Sequence, residues 1–261
     1  MAKLFNKIRK QLVSEKPSSV RTANYLKYAI GEIVLVVIGI LIALSINNWN
    51  DLRKDRAKEL HYLSNIKSDL QLNIEELQNY IDVRTTRIAS ANVVIDYFEG
   101  KPLTNLNTFS RNAVNIYTWR KFYQINNTYQ ELVNSGNLAL ISNDSIKNTL
   151  LNLESLYKKL KYEEEHFRYD AEIMLYEPSY GVLDLNPIVK KYTYDMSNGK
   201  AGENVQLPKA NFEEMLKDIK QKNGFVMAVY EFTVMNAQFE EMKSMSEGLI
   251  ILIETEINKN Q

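Results

Sequence analysis

The chain has 261 residues, of which 45% are apolar and 25% are charged, and its 32 basic side chains balance its 32 acidic ones. This neutrality argues against a nucleic-acid-binding protein, because binding to phosphates depends on an excess of Lys and Arg. The chain contains no cysteine, which excludes disulfides, thiol catalysis and a lipid-modified cysteine anchor.

The first predicted element is a transmembrane helix over residues 28–49. The run from Tyr28 to Ile46 is almost entirely apolar. At about 1.5 Å per residue it matches the roughly 30 Å hydrocarbon core of a bilayer. Glu32 lies one turn inside one edge, where its carboxylate can reach the headgroups, and Trp49 is placed as an interfacial anchor at the other. The lipid bilayer is therefore the first predicted partner.

The charges on either side of this span predict its orientation. Residues 1–27 are strongly basic, whereas the segment from Asp51 to Arg56 carries both signs. The positive-inside rule places residues 1–27 in the cytoplasm and residues 50–261 outside it. A cleaved signal peptide is the alternative, since Ala43-Leu44-Ser45 has the small residues that a signal peptidase uses. The length of the apolar run favours a retained anchor.

Three residues of the span are candidates for helix–helix contact. Gly39 and Ala43 form a small-xxx-small pattern, which allows two helix backbones to approach closely. Glu32 can pair with a basic residue in a partner's span, or it can have a simple interfacial role beside Lys27. Self-association or an envelope-protein partner is therefore predicted as an alternative to a passive tether.

Beyond the span, apolar residues recur at steps of three and four, which predicts an all-α fold. A long helix with a heptad-like seam, as in coiled coils, runs from Leu60 to Phe98 and continues the span as a stalk; Gly100 ends it. Lys67 and Arg84 interrupt this seam. They are predicted to face either an acidic partner or Glu164 of the same chain, with the internal pairing favoured.

Shorter elements are predicted in the middle of the chain. A short helix is expected around 111–123, and Asn127 or Thr128 is expected to cap the next one. The turn Ser135-Gly136-Asn137 should end that helix with Gly136 at positive φ, and a structural role is favoured over a ligand-binding loop. Residues 138–141 are predicted to form a buried connector.

Two further long helices complete the predicted domain. Ser142 or Asn143 should cap a helix that runs from Ile146 to Met174 and stops at Pro178, with Glu163 to Glu165 as a solvated acidic face. Residues 179–209 show no sustained period and are predicted to form an irregular loop, with at most a short helix near 187–192. A final helix over 211–253 should be weakened at 223–224. Three long seams predict an antiparallel helical bundle.

Two segments carry a resemblance to a known family. They are residues 28–50 (YAIGEIVLVVIGILIALSINNWN) and residues 131–151 (ELVNSGNLALISNDSIKNTLL). Both resemble hallmark stretches of the domain of unknown function 6090 family (DUF6090) of Gram-negative bacteria. The resemblance implies an inner-membrane anchor with a periplasmic helical domain. It implies no activity.

The patterns that could carry chemistry are weak. Glu163 and His166 have the Glu-x-x-His spacing of di-iron bundles, but no second copy exists, because Lys58 stands three residues before the other histidine, His61. The stretch 199–202 has the wrong spacing for a phosphate loop and is predicted to be a plain turn. No catalytic, cofactor-binding or metal-binding residue is therefore predicted.

The sequence thus predicts a non-enzymatic, membrane-anchored helical module that assembles or scaffolds envelope proteins. The alternative is a periplasmic ligand sensor that signals through a partner protein, because a basic cytoplasmic segment of 27 residues offers no output domain. A defined pocket in the helical bundle would favour the sensor.

Overall fold

The structure, a computed structural model, describes residues 19–259, with side chains from Leu26 onward. It is 82% helical, and the described residues contain no strand, which confirms the predicted all-α class. The chain divides into two compact units after Lys58. The helices are α1 (Ser19–Phe98), α2 (Leu106–Tyr117), α3 (Asn127–Asn134), α4 (Asp144–Ala171), α5 (Glu177–Tyr180), α6 (Leu185–Met196), α7 (Lys209–Met215) and α8 (Ile219–Asn258), with a 3₁₀ turn at Asn137–Leu140 and a π-helical turn at Glu172–Tyr176.

The described part of the first unit is the N-terminal part of α1. It contains an 18-residue window of mean hydropathy 2.8 with no buried residue, long and apolar enough to be a candidate membrane span. Glu32, Gly39 and Ala43 are exposed on this helix. Trp49 is 63% exposed, and the Arg53 guanidinium lies 5.6 Å from the centre of its ring. The prediction for the basic segment falls largely on residues 1–18, outside the described residues.

The second unit is built on residues 59–98 of α1 and on α4 and α8. Helix α8 is antiparallel to α1, because early residues of α1 contact late residues of α8. The contacts are Lys67 with Glu254, Gln78 with Lys243, and Thr85 with Asn236. Contacts of Asn143 with Glu256 and of His166 with Glu231 show that α8 is also antiparallel to α4. Helix α8 is therefore antiparallel to both of the other long helices, and α1 and α4 are parallel to each other.

A return segment, residues 118–143, makes this parallel pair possible. It runs back along α1, and polar side chains of α1 hydrogen-bond its irregular backbone. Asn73 bonds both the carbonyl and the N–H of Ile125, at 2.6 and 2.8 Å, and the Tyr80 hydroxyl donates to the carbonyl of Lys121 at 2.8 Å. These bonds satisfy backbone groups that no helix pairs. The segment ends where the N–H of Ser142 donates to Glu59 at 2.7 Å.

The core agrees with the predicted seam of α8 and only partly with that of α1. The predicted apolar residues of α8 from Phe225 to Ile253 are all buried. On α1, Leu60, Ile74 and Ile95 are only half-buried, whereas Ile66, Asn73 and Arg84 are buried. The polar side chains of Asn73 and Arg84 are buried because the return segment and α4 supply hydrogen-bond partners for them.

Three predicted features of the short elements are corrected. Helix α2 begins at Leu106, because the Asn105 side chain accepts a hydrogen bond from the N–H of Thr108 at 3.0 Å. Neither Asn127 nor Thr128 caps α3. Instead Asp69 of α1 accepts from the N–H of Thr128 at 3.1 Å. The connector 138–141 forms part of a 3₁₀ turn, and only its last residue is buried. The side chain that caps α3 therefore comes from Asp69, a residue distant from α3 in the sequence.

The helical path does not stop at Pro178. Asn143, one of the two predicted residues, caps α4. Helix α4 then continues into the π-helical turn and into α5, whose first turn contains Pro178. Proline is accommodated there because the π-helical turn just before it already interrupts the regular hydrogen-bond ladder of the α-helix. The wider π-turn also brings Leu175 against Gly224, where an added Cβ would lie 2.5 Å from Leu175 Cδ2. Gly224 is thus a packing residue within an unbroken α8, and no break occurs there.

Candidate ligand-binding pocket

An apolar pocket lies between α2, the π-turn, α5, α6 and α7. Its volume is about 240 Å³. An engineered apolar cavity of about 150 Å³ binds benzene, so this pocket has room for one or two small rings or a short alkyl chain. Its lining includes Val114, Tyr117, Tyr176, Leu183, Ile188 and Met215.

Helix α6 forms one wall of the pocket. The Asp184 carboxylate accepts a hydrogen bond from the N–H of Asn186 at 3.1 Å and starts the helix. Ile188 then faces the interior and is 4% exposed, whereas Leu185 and Val189 are 41% and 57% exposed at the margin. The pocket therefore has an apolar rim that is open to solvent as well as an apolar interior.

A tight turn at 199–202 holds the far end of α6. Gly199 and Gly202 have positive φ, and a Cβ at Gly202 would lie 2.4 Å from the carbonyl oxygen of Lys190. The backbone N–H of Glu203 donates to that oxygen at 3.2 Å. The predicted plain turn is confirmed: its glycines allow close packing against α6.

The polar atoms beside the pocket bond to one another. The Tyr176 hydroxyl donates to the carbonyl of Tyr117 at 2.7 Å, and Ser179 Oγ donates to the carbonyl of Tyr176 at 2.9 Å. The Tyr117 hydroxyl contacts Gln221 Oε1 at 3.4 Å. Burial raises the pKa of Tyr117 and of Tyr176 above the ordinary value for tyrosine, so burial disfavours the charged form of both phenols still further. The pocket therefore suits an uncharged, largely apolar ligand.

The sequence interpretation missed this pocket because much of it lies in the predicted loop 179–209. The sequence did contain local signals for α6. Asp184 is a good N-cap residue, and Pro187 suits the first turn of a helix. The apolar residues that follow belong to α6. The pocket itself has no sequence period, since five elements contribute to it.

The predicted turn at Ser135-Gly136-Asn137 follows the end of α3. Gly136 has φ 72°, as predicted, and Ser135 Oγ donates to the carbonyl of Glu131 at 2.7 Å. Asn137 Nδ2 donates to the Tyr62 hydroxyl of α1 at 3.1 Å. These bonds fix the end of α3 to α1, and the pocket lies elsewhere in the unit.

The polar interruptions of the first seam find partners inside the chain. Arg84 pairs with Glu164 at 2.6 Å, which confirms the favoured internal pairing. Lys67 pairs instead with Glu254. Glu164 is fully buried, so the predicted solvated acidic face is wrong at that position.

A second group of polar side chains lies between α4 and α8. Donor atoms of His166, Asp170 and Glu231 lie within 4.8 Å of one another and could hold a metal ion. Glu231 is 3% exposed, and burial raises the pKa of its carboxyl group; His166 opposes this rise, and Glu163 and Asp170 add to it. The sequence placed Glu163 and His166 on one helix but offered no sign that Glu231 would join them.

Comparison with known proteins gives one match. The profile of a family of unknown function (DUF6090) matches residues 32–196, well over half of the chain. The matched range ends at Met196, the last residue of α6. No curated protein and no solved structure gives a match.

Proposed function

The chain belongs to the DUF6090 family, and we propose that it is a membrane-anchored module that binds a small, uncharged, apolar ligand. The observation that carries this proposal is the open, apolar pocket of about 240 Å³. Apolar lining with a few fixed polar groups is typical of small-molecule sites. The proposal is one of binding without catalysis.

The proposed location is the bacterial inner membrane, with a single span, a cytoplasmic N-terminus and a periplasmic helical domain. The unburied apolar window of α1 and the basic residues before it support this topology. The sequence of residues 43–45 leaves signal-peptide cleavage as the competing outcome. A reporter active only in the periplasm, fused after Gln261, should be active, and the protein should stay in the membrane fraction after carbonate extraction.

Contacts between the pocket and α1 support a sensor role. Arg87 of α1 donates from Nε to the carbonyl of Asn115 at 3.0 Å and from Nη2 to the carbonyl of Thr118 at 2.8 Å. Both acceptors stand beside Val114 and Tyr117 of the pocket wall. We propose that a ligand shifts this end of α2 and thereby the contacts of α1, and that a partner protein reads the change.

The test is titration of the full chain in lipid nanodiscs with indole or 1-octanol by calorimetry, with empty nanodiscs as the blank. Val114→Trp should fill the pocket and lower the affinity at least tenfold. Val133→Trp is the matched control, because Val133 is 42% exposed on α3. Circular dichroism verifies that both variants fold. Absence of saturable binding by wild type, or equal binding by Val114→Trp, would contradict the proposal.

Assembly with another envelope protein is the second candidate function. Tyr162 and Tyr169 of α4 and Tyr230 of α8 are 60–70% exposed, and tyrosine is enriched in protein interfaces. A photo-crosslinking residue at position 169 should capture a discrete partner in native membranes, whereas one at the exposed position 219 should not. Equal, diffuse labelling from both positions would count against this candidate.

A further inference from the structure

Helices α4 and α8 bring a histidine and two carboxylates together at one point of their interface. His166 and Asp170 are four residues apart and share one face of α4. Glu231 comes from α8, and its Oε1 lies 3.3 Å from His166 Nδ1. Donor atoms of all three residues lie within 4.8 Å of one another. Glu231 is at least 61 positions away from the other two residues in the chain, and the packing of α8 against α4 brings the ligand atoms together.

The charge around Glu231 is a second, independent observation. Its side chain is only 4% exposed, and Asp170 and one further acid, Glu163, lie close enough to act on it electrostatically. Within the described range 26–259, no Lys or Arg forms an ion pair with Glu231, and the basic group beside it is His166. A buried carboxylate among other acids is costly unless a cation neutralises it. The site thus has both the ligand atoms and the excess negative charge that a cation requires.

We propose that His166, Asp170 and Glu231 bind a divalent first-row transition-metal ion, with Zn²⁺ as the representative. An imidazole together with carboxylates suits Zn²⁺, Mn²⁺ or Fe²⁺, whereas Mg²⁺ and Ca²⁺ prefer oxygen ligands alone. Because zinc–ligand bonds are about 2.0–2.2 Å long, two donors of one ion stand at most about 4.4 Å apart. The donor atoms of the three side chains all lie within 4.8 Å of one another, close to the spacing that one ion requires.

The ion would link α4 to α8 one turn before the π-helical turn. Three protein ligands leave a further position for water or for a group from another molecule. This inference is independent of the proposed ligand pocket, which uses other residues and other elements.

The test uses the full chain in detergent, without a polyhistidine tag, after removal of metals with a chelator. Calorimetric titration with ZnCl₂ should show one saturable site. His166→Ala and Glu231→Gln should each weaken zinc binding at least tenfold. His61→Ala is the matched control, because His61 is the other histidine of the chain and is exposed on α1. Mg²⁺ and Ca²⁺ at equal concentration should not displace Zn²⁺.

A second readout is the melting temperature. Zn²⁺ at a hundred times its wild-type Kd should raise the Tm of wild type and of His61→Ala by about 5–10 °C, and it should raise the Tm of His166→Ala by at most about half as much. Wild-type zinc affinity in His166→Ala or in Glu231→Gln would overturn the proposal, as would the absence of a saturable site in wild type. Glu231→Gln should keep the wild-type helical content, since an amide is easier to bury than a carboxylate.

Discussion

Arg84 of α1 and Glu164 of α4 form a buried ion pair at the centre of the bundle. Arg84 Nη2 lies 2.6 Å from Glu164 Oε1, and the two side chains are 1% and 0% exposed. The N–H of Phe122 donates to the same oxygen at 2.8 Å. The Arg84 guanidinium also lies 4.5 Å from the centre of the Phe239 ring on α8. One pair of residues thus connects all three long helices and the return segment.

We expect Arg84→Met to destabilise the domain by about 3–5 kcal/mol, because it removes the buried guanidinium that pairs with Glu164 and leaves the buried carboxylate with the more distant Lys161, at 3.6 Å. Burial lowers the pKa of Arg84 to about 10, which still leaves the guanidinium charged at neutral pH. The double variant Arg84→Met with Glu164→Leu should recover most of the loss. Urea unfolding followed by circular dichroism measures both effects.

The control for this prediction is Lys217→Met, which removes an exposed ion pair with Glu214. It should leave the unfolding midpoint unchanged. If the double variant is no more stable than the single one, the cost does not arise from an uncompensated charge.

The two glycines within α8 should respond oppositely to the same substitution. Gly224→Ala should destabilise the domain by about 1–3 kcal/mol, because the new Cβ meets Leu175 of the π-turn. Gly248→Ala should stabilise it by about 0.5–1 kcal/mol, since nothing lies within 4 Å of the added Cβ and Ala favours a helix. Thermal unfolding of the two variants checks this, and a shift of equal sign would show that Gly224 is not tightly packed.

Glu165 should contribute to the acid sensitivity of the protein. Hydrogen bonds from Lys121 and Arg168 lower its pKa to about 2, below the value of about 4.3 for an unfolded chain. The stabilisation is therefore fully present above about pH 4.3 and is lost as the pH falls towards 2. Wild type should melt slightly higher than Glu165→Gln at pH 7, and the difference should disappear by about pH 2.

Salt provides the control for this effect. Glu165 and both its partners lie near solvent, so 1 M NaCl should shrink the difference at pH 7. A difference that persists unchanged at pH 2 would mean that Glu165 acts through packing.

We expect the apolar span to act as a tether. Apolar length and basic flanks account for nearly every residue from Tyr28 to Ile46. Gly39→Ile and Glu32→Gln should therefore leave any co-purified complex intact in a gentle detergent. Loss of the complex in both variants, with the helical domain still folded, would instead assign a contact to Glu32, Gly39 and Ala43.

The sequence by itself determined the features that depend on neighbouring residues. Apolar length marks the candidate span in α1, and a period near 3.6 marks the buried stripe of α8. Asn143 caps α4, and Gly136 ends α3 at positive φ, because both roles follow from local backbone chemistry. These interactions span a few residues, so their signal is contiguous in the chain.

Only the tertiary structure decided the features that join distant residues. The parallel course of α1 and α4 depends on side chains of α1, such as Asn73, that bond the irregular return segment. The pocket needs five elements to converge, and Glu231 meets His166 only because α8 is antiparallel to α4. Such contacts arise from the packing of whole helices, and packing partners leave no periodic signal in a single sequence.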